Sequence, residues 1–163
     1  MQENDFSLSV VNAPTLGPTV KSSRELDLMR DAGRIVALTL QLMREVLEPG
    51  MTTKELDAIA EKNIRGLGAI PAFKGYRGFP ATLCLSLNDQ IVHGIPGDLI
   101  TKAGDILSID CGAIVDGLYG DAAITVPVGD VPIATTRLLQ VTEASLMAGI
   151  DQVREGNRIG DIS

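Results

Sequence analysis

Two aspartates in adjacent predicted strands are the residues of this chain best suited to chemistry. Asp110 and Asp121 lie on either side of Asp116-Gly117, a dipeptide that favours the two-residue turn of a β-hairpin. With that turn, Asp110 pairs with Ala123. Asp121 then pairs with Gly112, so the carboxylates are diagonal neighbours on one face, with backbones roughly 7–8 Å apart. Because carboxylate oxygens bind divalent cations, the pattern indicates a cation site. Two hydrated carboxylates on a polar face would give the same pattern.

Alternation in the two strands predicts which face of the hairpin is buried. Apolar residues recur at every second position, as expected when one face of a strand packs against a core. The face expected in the core carries Leu107, Ile109, Cys111, Ala113, Val115, Leu118, Ala122, Ile124 and Val126. The opposite face carries both aspartates.

The one histidine of the sequence, His93, is the second residue that could take part in chemistry. Its ordinary pKa is near neutral, so an imidazole can exchange a proton at physiological pH. An isolated histidine is more often structural, but His93 follows a predicted strand and precedes Gly94-Ile95-Pro96, close in sequence to the aspartate hairpin. The glycine- and aromatic-rich loop 69–80 is expected to be a pocket wall or a plain connector.

Helices and strands that would position these residues are visible in the pattern. Capping boxes at Ser22–Glu25 and Thr52–Glu55 predict two helix starts, and Pro49-Gly50 ends the first helix. Short strands at 81–87 and 90–93 are predicted to form a second hairpin. A third helix, starting at Thr135-Thr136, is expected to bury one side that carries Leu138, Leu139, Thr142, Leu146, Ile150 and Val153. A long helix, a glycine stop and a new helix start thus occur twice, at 24–56 and 135–162, a repeat that indicates half of a duplicated architecture or a chance match.

Composition limits the classes of function. The chain has 163 residues, 45% hydrophobic and 21% charged, which is typical of a globular domain. Its 14 basic and 21 acidic residues give a net charge of −7, which disfavours nucleic acid or an anionic membrane as a partner. The two cysteines, Cys84 and Cys111, lie in apolar strands, and no secretion signal or membrane-length apolar run is visible, so a cytoplasmic protein is expected.

Four segments resemble type I methionine aminopeptidase, and the similarity runs in register from about Ser23 to the last residue. The segments are Phe73–Pro80 (FKGYRGFP), Cys84–Pro96 (CLSLNDQIVHGIP), Gly104–Asp110 (GDILSID) and Gly117–Asp121 (GLYGD). The resemblance implies an α+β chain with the pita-bread (creatinase/aminopeptidase-like) fold, in which antiparallel hairpins pack on long helices. It makes residues 21–130 an N-terminal αβ half and residues 131–163 the start of a second half. Residues 1–20, which contain Pro14, Gly17 and Pro18 and show no helical period, are predicted to be a leader.

That resemblance also implies an activity, the metal-dependent removal of N-terminal methionine from nascent chains. It makes Asp110 and Asp121 metal ligands, and it places His93 at the substrate and the scissile amide. Tyr76, Phe79 and Cys84 match positions that line the pocket for the methionine side chain. The cofactor implied is a pair of Co, Mn, Fe or Zn ions, which can polarise a carbonyl.

Departures from the family pattern qualify these implications. The family's other ligands, a histidine in a Gly-His-Gly motif and two glutamates, have no counterpart in this chain. Arg77 and Tyr119 stand where histidine is common, and Ala122 where a hydroxyl residue is common. The expectation is therefore a truncated chain that binds metal weakly, is inactive alone and self-associates through an exposed half-interface.

Two other hypotheses for the function stay open beside the aminopeptidase. In the first, the chain is a non-catalytic pita-bread protein that binds peptide ends or a protein partner. In the second, it is an Xaa-Pro peptidase of the same fold. The paired strand aspartates favour an enzyme over the binding protein. The His-Gly-Ile-Pro stretch, and its spacing to Asp110, argues against the Xaa-Pro peptidase.

Overall fold

A computed structural model describes residues 19–163, so all but the last two residues of the predicted leader at 1–20 lie outside the described residues. The elements in chain order are helices and strands of one mixed architecture. They are α1 (Ser23–Val46), α2 (Thr53–Gly66), β1 (Ile70–Pro71), a 3-10 turn (Tyr76–Gly78), β2 (Leu83–Leu87), β3 (Ile106–Val115), β4 (Leu118–Pro127), α3 (Ile133–Asp151) and α4 (Ile159–Ile162). The predicted α+β class is confirmed.

Both predicted capping boxes start their helices. The Glu25 carboxylate accepts the backbone N–H of Ser22, and the Ser22 hydroxyl accepts that of Glu25. Thr52 and Glu55 form the same reciprocal pair at the start of α2. These bonds satisfy amide groups that a helix start leaves without partners, so the local sequence fixes where each helix begins.

The sheet is built around β3. Strand β4 pairs with one edge of β3, and β1 and β2 pair with successive parts of its other edge, all antiparallel. The turn between β3 and β4 uses positive φ at both central residues, 46° at Asp116 and 81° at Gly117. Asp110 pairs with Ala123 and Asp121 pairs with Gly112, which confirms the predicted register.

The core lies between one face of this sheet and the two N-terminal helices. Most of its fully buried larger side chains come from α1, α2 and strands β2 and β3; they include Val36, Met43, Leu56, Ile64, Leu83, Leu85, Leu107 and Ile109. Helix α1 crosses β4 so closely that a Cβ atom on Gly120 would lie 2.5 Å from the backbone nitrogen of Gly33. Burial of this apolar face is the main contribution that holds the helices on the sheet.

The predicted second hairpin is wrong. Residues 90–93 do not form a strand, and β2 pairs instead with β3, which is distant in sequence. The chain does turn at Asn88-Asp89, where the Gln90 N–H donates to the Leu87 carbonyl, but the returning segment forms a backbone hydrogen bond with β2 only at Gly94. Asn88 also continues the β2–β3 pairing, since its N–H donates to the Ile106 carbonyl and its side-chain oxygen accepts the Ile106 N–H.

Two predicted buried faces are also partly wrong. No residue of α3 is buried, because the element that packs on it is the four-residue α4. On β4, Ala122 is exposed and Leu118 and Ile124 are only half-buried, since β4 is the last strand of the sheet on its side. The repeated pattern of helix, glycine stop and helix start is present as α1–α2 and α3–α4. Within residues 19–163, no helix is both long and apolar enough to cross a membrane.

Candidate functional site

A groove of about 590 Å³ lies on the face of the sheet opposite the helices, and it is lined by all six residues proposed from the sequence. Strand β2 contributes Cys84, and the β3–β4 hairpin contributes the two aspartates. The loop before β2 and the segment after it supply the remaining walls. The residues that line the groove are Phe73, Tyr76, Arg77, Gly78, Phe79, Pro80, Cys84, His93, Ile95, Asp110 and Asp121.

The two aspartates act on each other electrostatically. The pKa of Asp110 is raised, first because burial disfavours its charged form and then because of the negative charge of Asp121. The His93 imidazole acts in the opposite direction and lowers the pKa of Asp110. Asp110 is half-buried and Asp121 is exposed at the mouth of the groove. A cation placed between them would relieve this repulsion.

Backbone contacts hold His93 at the groove. His93 has a positive φ of 59°, an uncommon conformation for a residue other than glycine. The next residue, Gly94, is bound on both sides: its carbonyl accepts the Leu85 N–H at 2.9 Å, and its N–H donates to the Ser86 hydroxyl at 3.1 Å. A Cβ atom on Gly94 would collide with the Leu85 carbonyl oxygen. The His-Gly pair therefore lies where it does because glycine allows close contact with β2.

The aromatic loop is positioned by a second close contact. The Phe73 ring and Ala72 lie directly over Gly112 of β3, where an added Cβ atom would be 2.7 Å from the ring. The Ala72 N–H also donates to the Gly112 carbonyl. Further along the loop, the Arg77 guanidinium lies 5.4 Å from the centre of the Tyr76 ring, within the range of a cation–π contact.

Neither cysteine is set up as a nucleophile. Burial is the main cause that raises the pKa of Cys84 to about 11 and that of Cys111 to about 12, and the charges of Asp110 and Asp121 act in the same direction. A thiol with such a pKa stays protonated at neutral pH and has little thiolate character. Cys84 can thus serve the groove as a small apolar wall, whereas Cys111 is in the core.

The donor set fits a hard divalent cation. Two carboxylates face one groove, and carboxylate oxygens are ligands that such cations accept. Within residues 19–163, no group of three or more His, Cys, Asp or Glu side chains is arranged to hold a metal ion. By themselves, Asp110 and Asp121 could fill only part of the coordination sphere of such an ion.

Two features of the site were not assigned from the sequence. Phe73 and Ile95 line the groove, although the pattern indicated only a generally aromatic loop and a strand end. Asp57 of α2, outside the groove, binds the backbone at the start of β2. The sequence carries no signal for this contact, because a polar residue on a helix is ordinarily solvent-facing.

Comparison with known proteins shows the family of the chain. Residues 27–163 match the model of metallopeptidase family M24. The chain belongs to this family. Members of a metallopeptidase family use divalent metal cofactors, which agrees with the paired carboxylates.

Several relatives of the chain are named methionine aminopeptidase. The chain is 51% identical over 143 residues to methionine aminopeptidase 1 of Bacillus subtilis, a match that covers 88% of this chain and 58% of that protein. The crystal structure of methionine aminopeptidase from Rickettsia prowazekii superposes with a TM-score of 0.85 at 41% identity, covering 88% of this chain and 58% of that one. The chain thus spans somewhat more than half the length of these relatives, and its fold is that of the corresponding part of the pita-bread fold.

A second solved structure of the same fold is less similar to the chain. The structure of Pseudomonas aeruginosa aminopeptidase PepP superposes with a TM-score of 0.74 at 25% identity, over 83% of this chain and 30% of that one. Both values are lower than those for the Rickettsia enzyme. The similarity is therefore stronger to the methionine aminopeptidases.

Proposed function

We propose that this chain carries part of the active site of a methionine aminopeptidase, with Asp110 and Asp121 as metal ligands. The observation that carries the proposal is the single groove in which the two carboxylates, His93 and the aromatic loop meet. When bound, a Co, Mn, Fe or Zn pair would act as a Lewis acid at the carbonyl of the scissile bond. The substrate is the N-terminus of a peptide or nascent chain, and the proposed setting is the cytoplasm.

His93 is proposed to act on the proton at the scissile amide. Its ring lies at the groove near enough to Asp110 to influence the pKa of that carboxyl, so it is placed beside the proposed metal ligands. A neutral imidazole can donate an N–H to a substrate oxygen or share a proton with the leaving nitrogen. Both roles require the position that the Gly94 contacts give to this residue.

Tyr76, Phe79 and Cys84 are proposed to bind the methionine side chain. They offer two aromatic surfaces and an uncharged thiol to the groove, and a flexible thioether packs well against aromatic rings. Cys84 is the cross-strand partner of Asp110, so the proposed side-chain pocket adjoins the proposed metal ligands.

The domain organisation is proposed to follow the same correspondence. Residues 21–130 contain α1, α2 and the four-stranded sheet, and they form the N-terminal αβ half. Residues 131–163 contain α3 and α4, the start of a second half. Because α3 exposes apolar residues along its length, self-association of the 163-residue chain is proposed as well.

The 163-residue chain alone is proposed to bind divalent ions weakly and to lack turnover. Two aspartates leave most coordination positions to water, which lowers affinity and leaves the reaction poorly organised. Calorimetric titration with Mn²⁺ and Co²⁺, together with an assay of Met-Ala hydrolysis, tests this directly. Weak binding that Asp110→Asn removes is the expected result, and efficient turnover by this chain would overturn the claim of inactivity.

A non-catalytic role remains the second candidate. Within residues 19–163, the aspartate pair has no third ligand, which favours a groove that binds peptide ends without cleaving them. Peptide binding that is independent of Mn²⁺ and unchanged in Asp121→Asn would favour this alternative. Binding that requires the metal would favour the enzyme.

A further inference from the structure

One carboxylate on α2 holds the backbone at the start of β2. The Oδ1 atom of Asp57 accepts the N–H groups of Thr82 at 2.9 Å and of Leu83 at 2.7 Å. Both bonds go to the same oxygen, so the contact is a bifurcated acceptor. Charged acceptors of this kind form stronger hydrogen bonds than neutral ones.

The anchored segment lies between two residues of the proposed side-chain pocket. Phe79 precedes Thr82 by three positions, and Cys84 directly follows Leu83. Thr82 is fully buried, and among the described residues its hydroxyl oxygen has no hydrogen-bond partner. The polar contact that fixes this stretch to the helix layer therefore runs through the backbone to Asp57.

The same helix binds the other end of the aromatic loop. Glu61, one turn after Asp57, accepts the ammonium group of Lys74 at 2.6 Å. The loop from Lys74 to Thr82 is thus attached to α2 at both ends. The Lys74–Glu61 pair joins two flexible and partly exposed side chains, whereas the Asp57 contact fixes backbone atoms next to the groove.

Burial adds to the case that the Asp57 contact is specific. Asp57 is half-buried, and its pKa is raised because burial outweighs the two amide hydrogen bonds; Lys74 lowers this pKa and Glu61 raises it. An ionisable side chain that is partly removed from water at a helix–strand junction costs stability. Packing alone would therefore not favour an aspartate at position 57, whereas its two hydrogen bonds to the backbone do.

We propose that Asp57 is a positioning residue for the groove, which sets the places of Phe79 and Cys84 by holding the Thr82–Leu83 backbone with one acceptor oxygen. This inference rests on the proposed function, because it treats those two side chains as part of the pocket for the substrate's side chain. Asp57 itself does not line the groove and acts through the backbone.

Three substitutions separate the acceptor oxygen from the charge. Asp57→Asn keeps an oxygen at the same place and removes the charge. Asp57→Ala removes both, and Asp57→Glu keeps the charge but moves the oxygen by one methylene group. Lys62→Ala, at an exposed position of the same helix, is the matched control.

Each form of the 163-residue chain is labelled with ¹⁵N and ¹³C, and the resonances of Thr82, Leu83, Phe79 and Cys84 are compared. Methionine amide is then titrated, and its affinity is read from the same resonances. We expect Asp57→Ala to shift the resonances of all four residues. It should also weaken the binding of methionine amide about tenfold, because apolar contacts in the side-chain pocket would be misplaced. Asp57→Asn should stay within about twofold of the unmodified chain, since its amide oxygen can accept both N–H groups.

A purely stabilising role would lower the resistance of Asp57→Ala to urea and leave the Phe79 and Cys84 resonances and the affinity unchanged. That result would overturn the proposal, as would equal shifts in Asp57→Asn and Asp57→Ala. If Asp57→Ala does not fold, the comparison of Asp57→Glu with Asp57→Asn decides, because only the first displaces the oxygen. A lack of any response to methionine amide in the unmodified chain would count against the proposed function, while the resonances would still decide the role of Asp57.

Discussion

Asp110 and Asp121 lie one diagonal step apart across the β3–β4 ladder, Asp110 opposite Ala123 and Asp121 opposite Gly112. Their side chains share one face because residues that alternate along a strand point the same way. On that face the strands carry small neighbours, so the two negative charges face an open groove. The pair is repulsive by itself, and a cation bound between the two carboxylates would offset this repulsion.

Asp121→Asn is expected to have opposite effects on stability without and with metal. In EDTA, the loss of one of two like charges should raise the melting temperature by no more than roughly 4 °C, since an exposed charge contributes about 1 kcal/mol or less. With excess Mn²⁺, the variant should lose the stabilisation that metal gives to the unmodified chain. Thermal unfolding in both buffers is the measurement. Asp116→Asn, at the exposed hairpin turn, is the control, and an equal response to Mn²⁺ in Asp121→Asn would contradict the metal assignment.

Asp57→Asn is expected to change how stability depends on pH. Because burial raises the pKa of Asp57 in the folded chain, the folded state holds this proton more tightly than the unfolded state. Stability from this group is therefore fully present below its ordinary pKa of 3.8 and is lost as the pH rises through the raised value.

Urea unfolding of both proteins from about pH 4 to about pH 7 measures the effect. The free energy of unfolding of the unmodified chain should fall relative to that of Asp57→Asn as the pH rises, and then run parallel to it. If the free energy of unfolding of the unmodified chain instead rises relative to that of Asp57→Asn, the two amide hydrogen bonds lower the pKa of Asp57 by more than burial raises it.

Gly94→Ala and Gly112→Ala are expected to destabilise the chain to different extents. A methyl group on Gly112 meets the Phe73 ring and Ala72, which can move, so a cost of about 1–3 kcal/mol is expected. A methyl group on Gly94 meets the backbone carbonyl of Leu85, which is fixed in the ladder, so its cost should be larger. Gly66→Ala, which meets nothing within 4 Å, is the control and should be neutral or slightly stabilising. Urea unfolding gives the three values, and the reverse order for Gly94 and Gly112 would contradict the described packing.

Leu138→Lys with Leu146→Lys is expected to reduce self-association without loss of stability. Both side chains are more than half exposed on α3, so the folded chain should tolerate lysine there within about 0.5 kcal/mol. Sedimentation velocity of the double variant measures the association. Thr136→Lys with Gln140→Lys adds the same charge at exposed polar positions of the helix and is the control. Equal association of both double variants would show that the apolar residues of α3 are not responsible.

The local sequence was sufficient for features whose physics is local. The Asp116-Gly117 turn fixed the register of β3 with β4, because that dipeptide accepts two positive φ angles and alternation then allows one pairing. The pairs Ser22–Glu25 and Thr52–Glu55 located two helix starts, since each capping box is complete within four residues. The residue pattern indicated Asp110, Asp121 and His93, and the resemblance to a known family added Tyr76, Phe79 and Cys84. The structure brings all six to one groove, while their roles remain proposals.

Only the tertiary structure decided features that depend on contacts between distant segments. Strand β2 pairs with β3 along its whole length, and Asn88 adds a contact across 18 positions; no local pattern encodes this pairing. His93 reaches the groove because Gly94 packs on Leu85. Burial of α3 depends on what lies beside it, and amphipathic spacing alone cannot supply a partner. The sequence by itself thus determined which residues could do chemistry and where the first two helices begin, whereas packing between distant segments decided which residues meet.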